Sequence, residues 1–239
     1  MSEILADLGR YARRPASLGC VAAFLVSWLA YAWILGAVSG AWNDETARAT
    51  LDWAVASGLV GLAQVFVVRY FGSEVVALAR PRLLVWLASV VVLALAVGPL
   101  AFALQVIAYL TIKDLLAGWP WHGMAIGLVA ATALFPVAVW QVSLLAGAPR
   151  VSFWRSWTGV WRRRPLVLAA ALALYALGYG GQGWLTEAMP QDAGYAASAV
   201  WQIAASIPVS VAYVLLVLLA FAAYLAISRE VSEEIATFD

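Results

Sequence analysis

Between Pro15 and Asn43 no side chain is charged, and comparable runs recur from Leu83 to Ile112 and from Ala193 to Ser228. Crossing about 30 Å of hydrocarbon takes about 20 helical residues, so uncharged runs of this length mark bilayer-spanning helices. The composition agrees: 65% of the residues are hydrophobic and 11% charged, where a soluble domain has about half and about a quarter. A β-barrel would need alternating strands of about ten residues. These runs are continuous, so the expected fold is all-α, a polytopic membrane protein.

Six segments are expected to span, at about 17–39, 51–71, 83–112, 122–146, 165–183 and 195–228, forming one integral membrane domain over 1–239. The third and sixth are too long for one straight crossing, and each holds a proline that removes a backbone donor. Kinks are therefore expected at Gly98-Pro99 and Pro208. The basic start followed by a long apolar run reads as a retained first span, because a signal-peptide core is only about 7–15 residues. The single cysteine, Cys20, has no partner for an internal disulfide and no basic neighbour in sequence to activate it.

Lysine and arginine placement sets the orientation. With the N-terminus inside, Arg10, Arg13, Arg14, Arg69, Arg80, Arg82, Arg150, Arg155, Arg162, Arg163, Arg164 and Arg229 lie on the cytoplasmic side. Only Arg48 and Lys113 lie outside, where Trp42, Trp53, Trp119, Trp121 and Trp184 suit an aromatic belt. The expectation is a multi-pass protein of a bacterial inner membrane with both termini cytoplasmic.

The stretch VSFWRSWTGVWRRRP, residues 151–165, falls between two apolar runs on that side. At about 100° per residue, Phe153, Trp154, Trp157, Val160 and Trp161 share an arc of about 120°, with Arg155 and Arg162 opposite. This is the layout of a helix lying in the membrane interface, arginines toward the headgroups. Arg162, Arg163 and Arg164 then lead into Pro165, suited to the first turn of the fifth span. Arg-Pro also precedes the first and third spans, at Arg14-Pro15 and Arg80-Pro81, which suggests three duplicated hairpins. Residues 2–14 form a second amphipathic stretch, with Ile4, Leu5, Leu8, Tyr11 and Ala12 on one face.

Pro136-Val137, Ser152-Phe153, Ser156-Trp157 and Arg162 to Arg164 together resemble a stretch of the YciC-like bacterial inner-membrane proteins. There a span ends in a proline-valine pair and a small-residue linker leads to an amphipathic helix and the next span. The resemblance covers about 133–175 and extends to the membrane domain of some glycerophosphodiester phosphodiesterases. It implies a six-span inner-membrane protein, and the family brings no catalytic residues with it.

Ionisable groups near mid-span, the usual mark of intramembrane enzymes and ion-coupled carriers, are missing from the six segments. His122 is the single histidine, too little for a zinc site, although one histidine suffices to ligate a haem or pigment. No cofactor, metal or catalytic site is expected, and a net charge of +1 argues against a nucleic-acid partner. Gln64, Gln105, Gln141 and Gln202 are expected to hydrogen-bond between helices, and the pairs Ser57/Gly61 and Gly123/Gly127 to let helices approach closely. The functional expectation is a non-catalytic accessory, scaffolding or assembly subunit, whose partners are the bilayer and other membrane proteins or a second copy. The alternative is a carrier or flippase-like handler of a lipid or other apolar substrate. The proline-interrupted third and sixth spans favour it, and they would have to line one shared cavity.

Overall fold

The computed structural model describes residues 2–38, 45–75, 81–116, 122–146, 150–190 and 195–238, some of their side chains excepted. The described residues form helices and no strands. In order these are α1 (Ser2–Ala12), α2 (Pro15–Val38), α3 (Glu45–Val75), α4 (Leu83–Leu116), α5 (His122–Ala133), α6 (Phe135–Ala146), α7 (Phe153–Trp161), α8 (Pro165–Glu187) and α9 (Tyr195–Phe238). The chain is thus an all-α membrane protein. Among the described residues, Pro165–Glu187 and Val200–Glu234 are each long and apolar enough to cross a bilayer, and bent α5–α6 makes a third if counted as one span. Shorter apolar stretches run through Pro15–Ala30, Gly58–Gly72 and Leu83–Leu93.

Helix α9 organises the bundle. Its 44 residues reach about 66 Å, and its middle, from Val209 through Ile227, is buried almost without interruption. A helix apolar on every side has no face to leave uncovered and belongs in the middle of its neighbours. Helices α1, α2, α3, α6, α7 and α8 all pack on it. Tyr11 of α1 sets its ring against Phe221 of α9 and Phe71 of α3, and Phe24 of α2 stacks on Tyr213.

The α8–α9 contact is the closest. A Cβ placed on Gly178 would lie 2.6 Å from the Ala212 Cβ, and one on Gly181 would lie 3.0 Å from the Pro208 ring. Both positions must stay bare for the backbones to meet. The Tyr179 and Tyr213 hydroxyls close the seam with a 2.6 Å hydrogen bond. Neither glycine belongs to the pairs expected from spacing. Of those pairs, Gly61 does face a neighbour, its Cβ position 3.2 Å from the Trp86 ring of α4. Gly127 does not: a Cβ there meets nothing within 4 Å. The side chain of Ser57 and the surroundings of Gly123 lie outside the described residues.

Neither proline expected to kink a long span interrupts its helix. Backbone helix continues through Gly98-Pro99 in α4 and through Pro208 in α9. The break falls at Leu134, where α5 and α6 meet at 41°. Pro136 lacks an amide hydrogen and disfavours helical geometry in the residue before it. Val137 donates instead to Leu134 O at 2.9 Å, a tightened turn, while Leu134 keeps its bond to Ala130 O at 3.2 Å. At Pro208 the glycine face of α8 accommodates the ring, as neighbouring helices do for prolines in spans.

The buried amides of Gln64 and Gln141 are linked across helices. Gln64 Nε2 donates to Gln141 Oε1 at 3.0 Å, and Trp86 Nε1 donates to Gln64 Oε1 at 3.2 Å, tying α3, α4 and α6. Gln202 is exposed, and the side chain of Gln105 lies outside the described residues.

Substituting Gly178 with leucine is expected to destabilise the folded protein by about 1–3 kcal/mol through overpacking. Gly127→Leu, in open space, should leave it unchanged or slightly more stable, since helix propensity rises. Unfolding in mixed detergent micelles monitors both, and equal losses from the two would contradict the glycine seam.

Candidate functional site

A cluster of charged side chains forms where α1 and α7 pack against the far end of α9. Helix α7 starts at Ser152, whose hydroxyl accepts from the Arg155 amide at 3.2 Å, capping an otherwise orphan donor. Preceding it, Val151 N donates to the Ser143 hydroxyl at 2.9 Å, fastening the approach to α6. Ser156, Gly159 and Val160 are buried. A Cβ on Gly159 would lie 3.1 Å from Ile227 of α9, so this small-residue stripe is the docking face.

The aromatic arc expected from periodicity divides. Val160 is buried, while Phe153 and Trp157 are half-buried, with Phe153 edge-on to Trp140 of α6. Trp154 and Trp161 remain exposed, Trp154 at 72%. The helix is thus held on one flank and presents two tryptophans on the other.

The arginines were expected to face headgroups, and three of them instead meet carboxylates of α9. Arg155 pairs with Glu234. Arg163 Nη1 reaches Glu230 Oε2 at 3.2 Å, and Arg164 pairs with the other oxygen, Oε1. Arg164 also donates to Gly159 O at 3.3 Å, and its side chain is only 12% exposed. Arg162 is exposed and forms no ion pair among the described residues.

Helix α1 continues the network. Asp7, 5% exposed, accepts from Arg229 of α9 and pairs with Arg10, each at 3.3 Å. Arg229 also lies 3.6 Å from Glu3. A cleft of about 350 Å³ opens beside these groups, bordered by Glu3, Ile4, Arg164, Ala226, Arg229, Glu230 and Glu233. Glu230, Glu233 and Glu234 stand three and four residues apart on the last turns of α9, a spacing that puts them on one side. That spacing was the available signal in the sequence.

These are mostly surface ion pairs, each worth about 0–1 kcal/mol. They orient the end of α9 more than they hold the bundle together. Among the described residues no group of three histidine, cysteine or carboxylate side chains is placed to hold a metal. The surroundings of His122 lie outside the described residues, as do Trp42, Trp119 and Trp121. No family model, curated protein or solved structure matches the chain.

Glu234 lies beyond the apolar part of α9, and its hydrogen bond from Arg155 holds its carboxyl below the ordinary value. A carboxyl lowered in the folded state contributes its stabilisation above the ordinary carboxylate range and loses it as pH falls through the lowered value. In Arg155→Gln the Glu234 titration, followed by carbon-13 carboxyl resonances, should move up toward the ordinary value. An unmoved titration would mean that Arg155 is not its partner in solution.

Proposed function

We propose that the chain is a non-catalytic accessory or assembly subunit of the bacterial inner membrane, with six spans and both termini cytoplasmic. In this arrangement α7 lies at headgroup level and offers Trp154 and Trp161 to neighbouring membrane proteins or a second copy. The observation that carries this is the way α7 is mounted. It is docked through Ser156, Gly159 and Val160 and tethered by arginine pairs, yet it leaves its two outermost tryptophans exposed. Tryptophan and arginine are the residues most often found to anchor interfaces, and tryptophan also favours the headgroup zone.

The resemblance to YciC-like proteins supports the same arrangement, since it covers α6, α7 and the first half of α8. The carrier alternative would need Pro99 and Pro208 to line one cavity, and the side chain of Pro99 lies outside the described residues. The gap beside Pro208, between Gly178, Tyr179, Val209 and Tyr213, has no room for a water molecule.

Reporters placed after Asp239 or within 150–164 should be cytoplasmic, and reporters near Asp114 or Asp192 periplasmic. A periplasmic C-terminus would remove the six-span arrangement. For the accessory role, the protein extracted gently from native membranes should come with a stoichiometric membrane protein or as an oligomer, with crosslinks mapping to α7. Replacing Trp154, Trp157 and Trp161 together by serine should release that partner while the bundle stays folded. A wild-type protein that emerges alone and monomeric from membranes rules the role out.

A further inference from the structure

We propose that Arg155, Arg163 and Arg164 form a cradle for the phosphate of an anionic phospholipid headgroup, a cradle that Glu230 and Glu234 of α9 fill as internal substitutes. The inference deepens the function proposed above and rests on the placement of α7 at headgroup level.

The geometry around Glu230 is that of a bound oxyanion. Two consecutive arginines reach it from one side, Arg163 to Oε2 and Arg164 to Oε1. Guanidinium groups arranged for two oxygens of a carboxylate match a phosphate equally well. Arg164 is held in position for this contact, being largely buried and braced on Gly159 O. Arg155 extends the cradle along α7 and holds Glu234. The two glutamates are four residues apart on α9; Glu230, its side chain 38% exposed, leaves the cradle by rotating that side chain, and Glu234 by movement of the last turn.

Only the turn that carries Glu234 lies beyond the packed part of α9. The buried part of the helix stops near Val231, and Ser232, Glu233 and Glu234 are exposed. Arg229 does not belong to the cradle, because Asp7 and Glu3 of α1 hold it. The occupant is a lipid rather than a soluble phosphate for an electrostatic reason. The open cleft beside Arg164 is bordered by Glu3, Glu230 and Glu233, which repel a free anion arriving from water. A headgroup arriving along α7 instead meets Trp154, Trp161 and Arg162, all exposed, before reaching the cradle. An anionic leaflet concentrates such headgroups at the surface, and added salt weakens the attraction.

The test uses the full chain in nanodiscs and reads the association of spin-labelled phosphatidylglycerol relative to spin-labelled phosphatidylcholine. Wild type should prefer phosphatidylglycerol. E230Q/E234Q should raise the preference by about fivefold for each arginine it frees, and R163Q/R164Q should abolish it. If the preference is unchanged in E230Q/E234Q, the carboxylates are not competitors and the proposal falls. It falls equally if R163Q/R164Q keeps the preference, or if millimolar inorganic phosphate displaces the labelled lipid. Should R163Q/R164Q fail to fold, the glutamate variants still decide, since they leave every arginine and the packed core in place. Placement of α7 is read separately, from the depth of a nitroxide on Trp154→Cys in pure phosphatidylcholine. Buried Cys20 stays unlabelled, so a failure of placement is distinguishable from a failure of the cradle.

Discussion

A helix that is apolar on all sides has to be enclosed, and α9 is that helix here. Lipid tails are as apolar as leucine, so burial among neighbours in a bilayer gains little from the hydrophobic effect. What holds helices around α9 must come from close contact, from dispersion between well-fitted surfaces and from hydrogen bonds made away from water. The structure supplies these one neighbour at a time. Gly178 and Gly181 let α8 touch the backbone of α9 beside Pro208. Tyr11 and Phe24 bring aromatic edges and faces from α1 and α2. Gln64, Gln141 and Trp86 tie the flanking helices to one another. Each contribution is small, and the bundle depends on their sum.

The two ends of α9 follow different physics. Its apolar middle is fixed by shape, where a single added methyl at Gly178 collides. Its last turns are positioned by charge, where Arg155 and Arg163 pair with Glu234 and Glu230, and Arg229 pairs with Asp7 of α1. A surface ion pair is worth about 0–1 kcal/mol, and an arginine near an anionic leaflet about 1 kcal/mol. The two are of the same size, so the charged end has no strongly preferred partner of its own. Packing therefore makes a rigid frame, and charge leaves one end of it responsive to what the membrane contains.

Helix positions were legible because apolar runs and proline at helix starts are local signals. Pro15 and Pro165 begin α2 and α8, as the sequence implies. The bend was not legible. Pro99 and Pro208 were the expected positions and Pro136 was not, because which proline breaks its helix depends on the neighbour. Pro208 is met by Gly181, while the chain turns before Pro136. The small-residue contacts failed for the same reason. Gly127 has the right spacing and faces open space, and Gly178 and Gly181, three residues apart, face α9. Of the candidate site, periodicity found the aromatic arc of α7 and the arginines beside it. It could not find their partners, because Glu230 and Glu234 lie 66 to 79 residues away along the chain, and no local pattern encodes that pairing.

The mounting of α7 shows how these constraints combine. An amphipathic helix free in the interface would bury all of Phe153, Trp154, Trp157, Val160 and Trp161 in lipid and turn its arginines outward. Ser156 and Gly159 prevent that arrangement by giving α7 a second, small-residue face on which it can settle against Ile227. Settling there costs the helix the freedom to roll and brings Arg155 and Arg164 within reach of the end of α9. Trp154 and Trp161 then project at a fixed angle from a fixed base. Restricting a tryptophan before it meets a partner lowers the entropy lost on contact. A helix mounted in this way is better suited to holding a neighbour in one orientation than to following a mobile one, as an assembly subunit must.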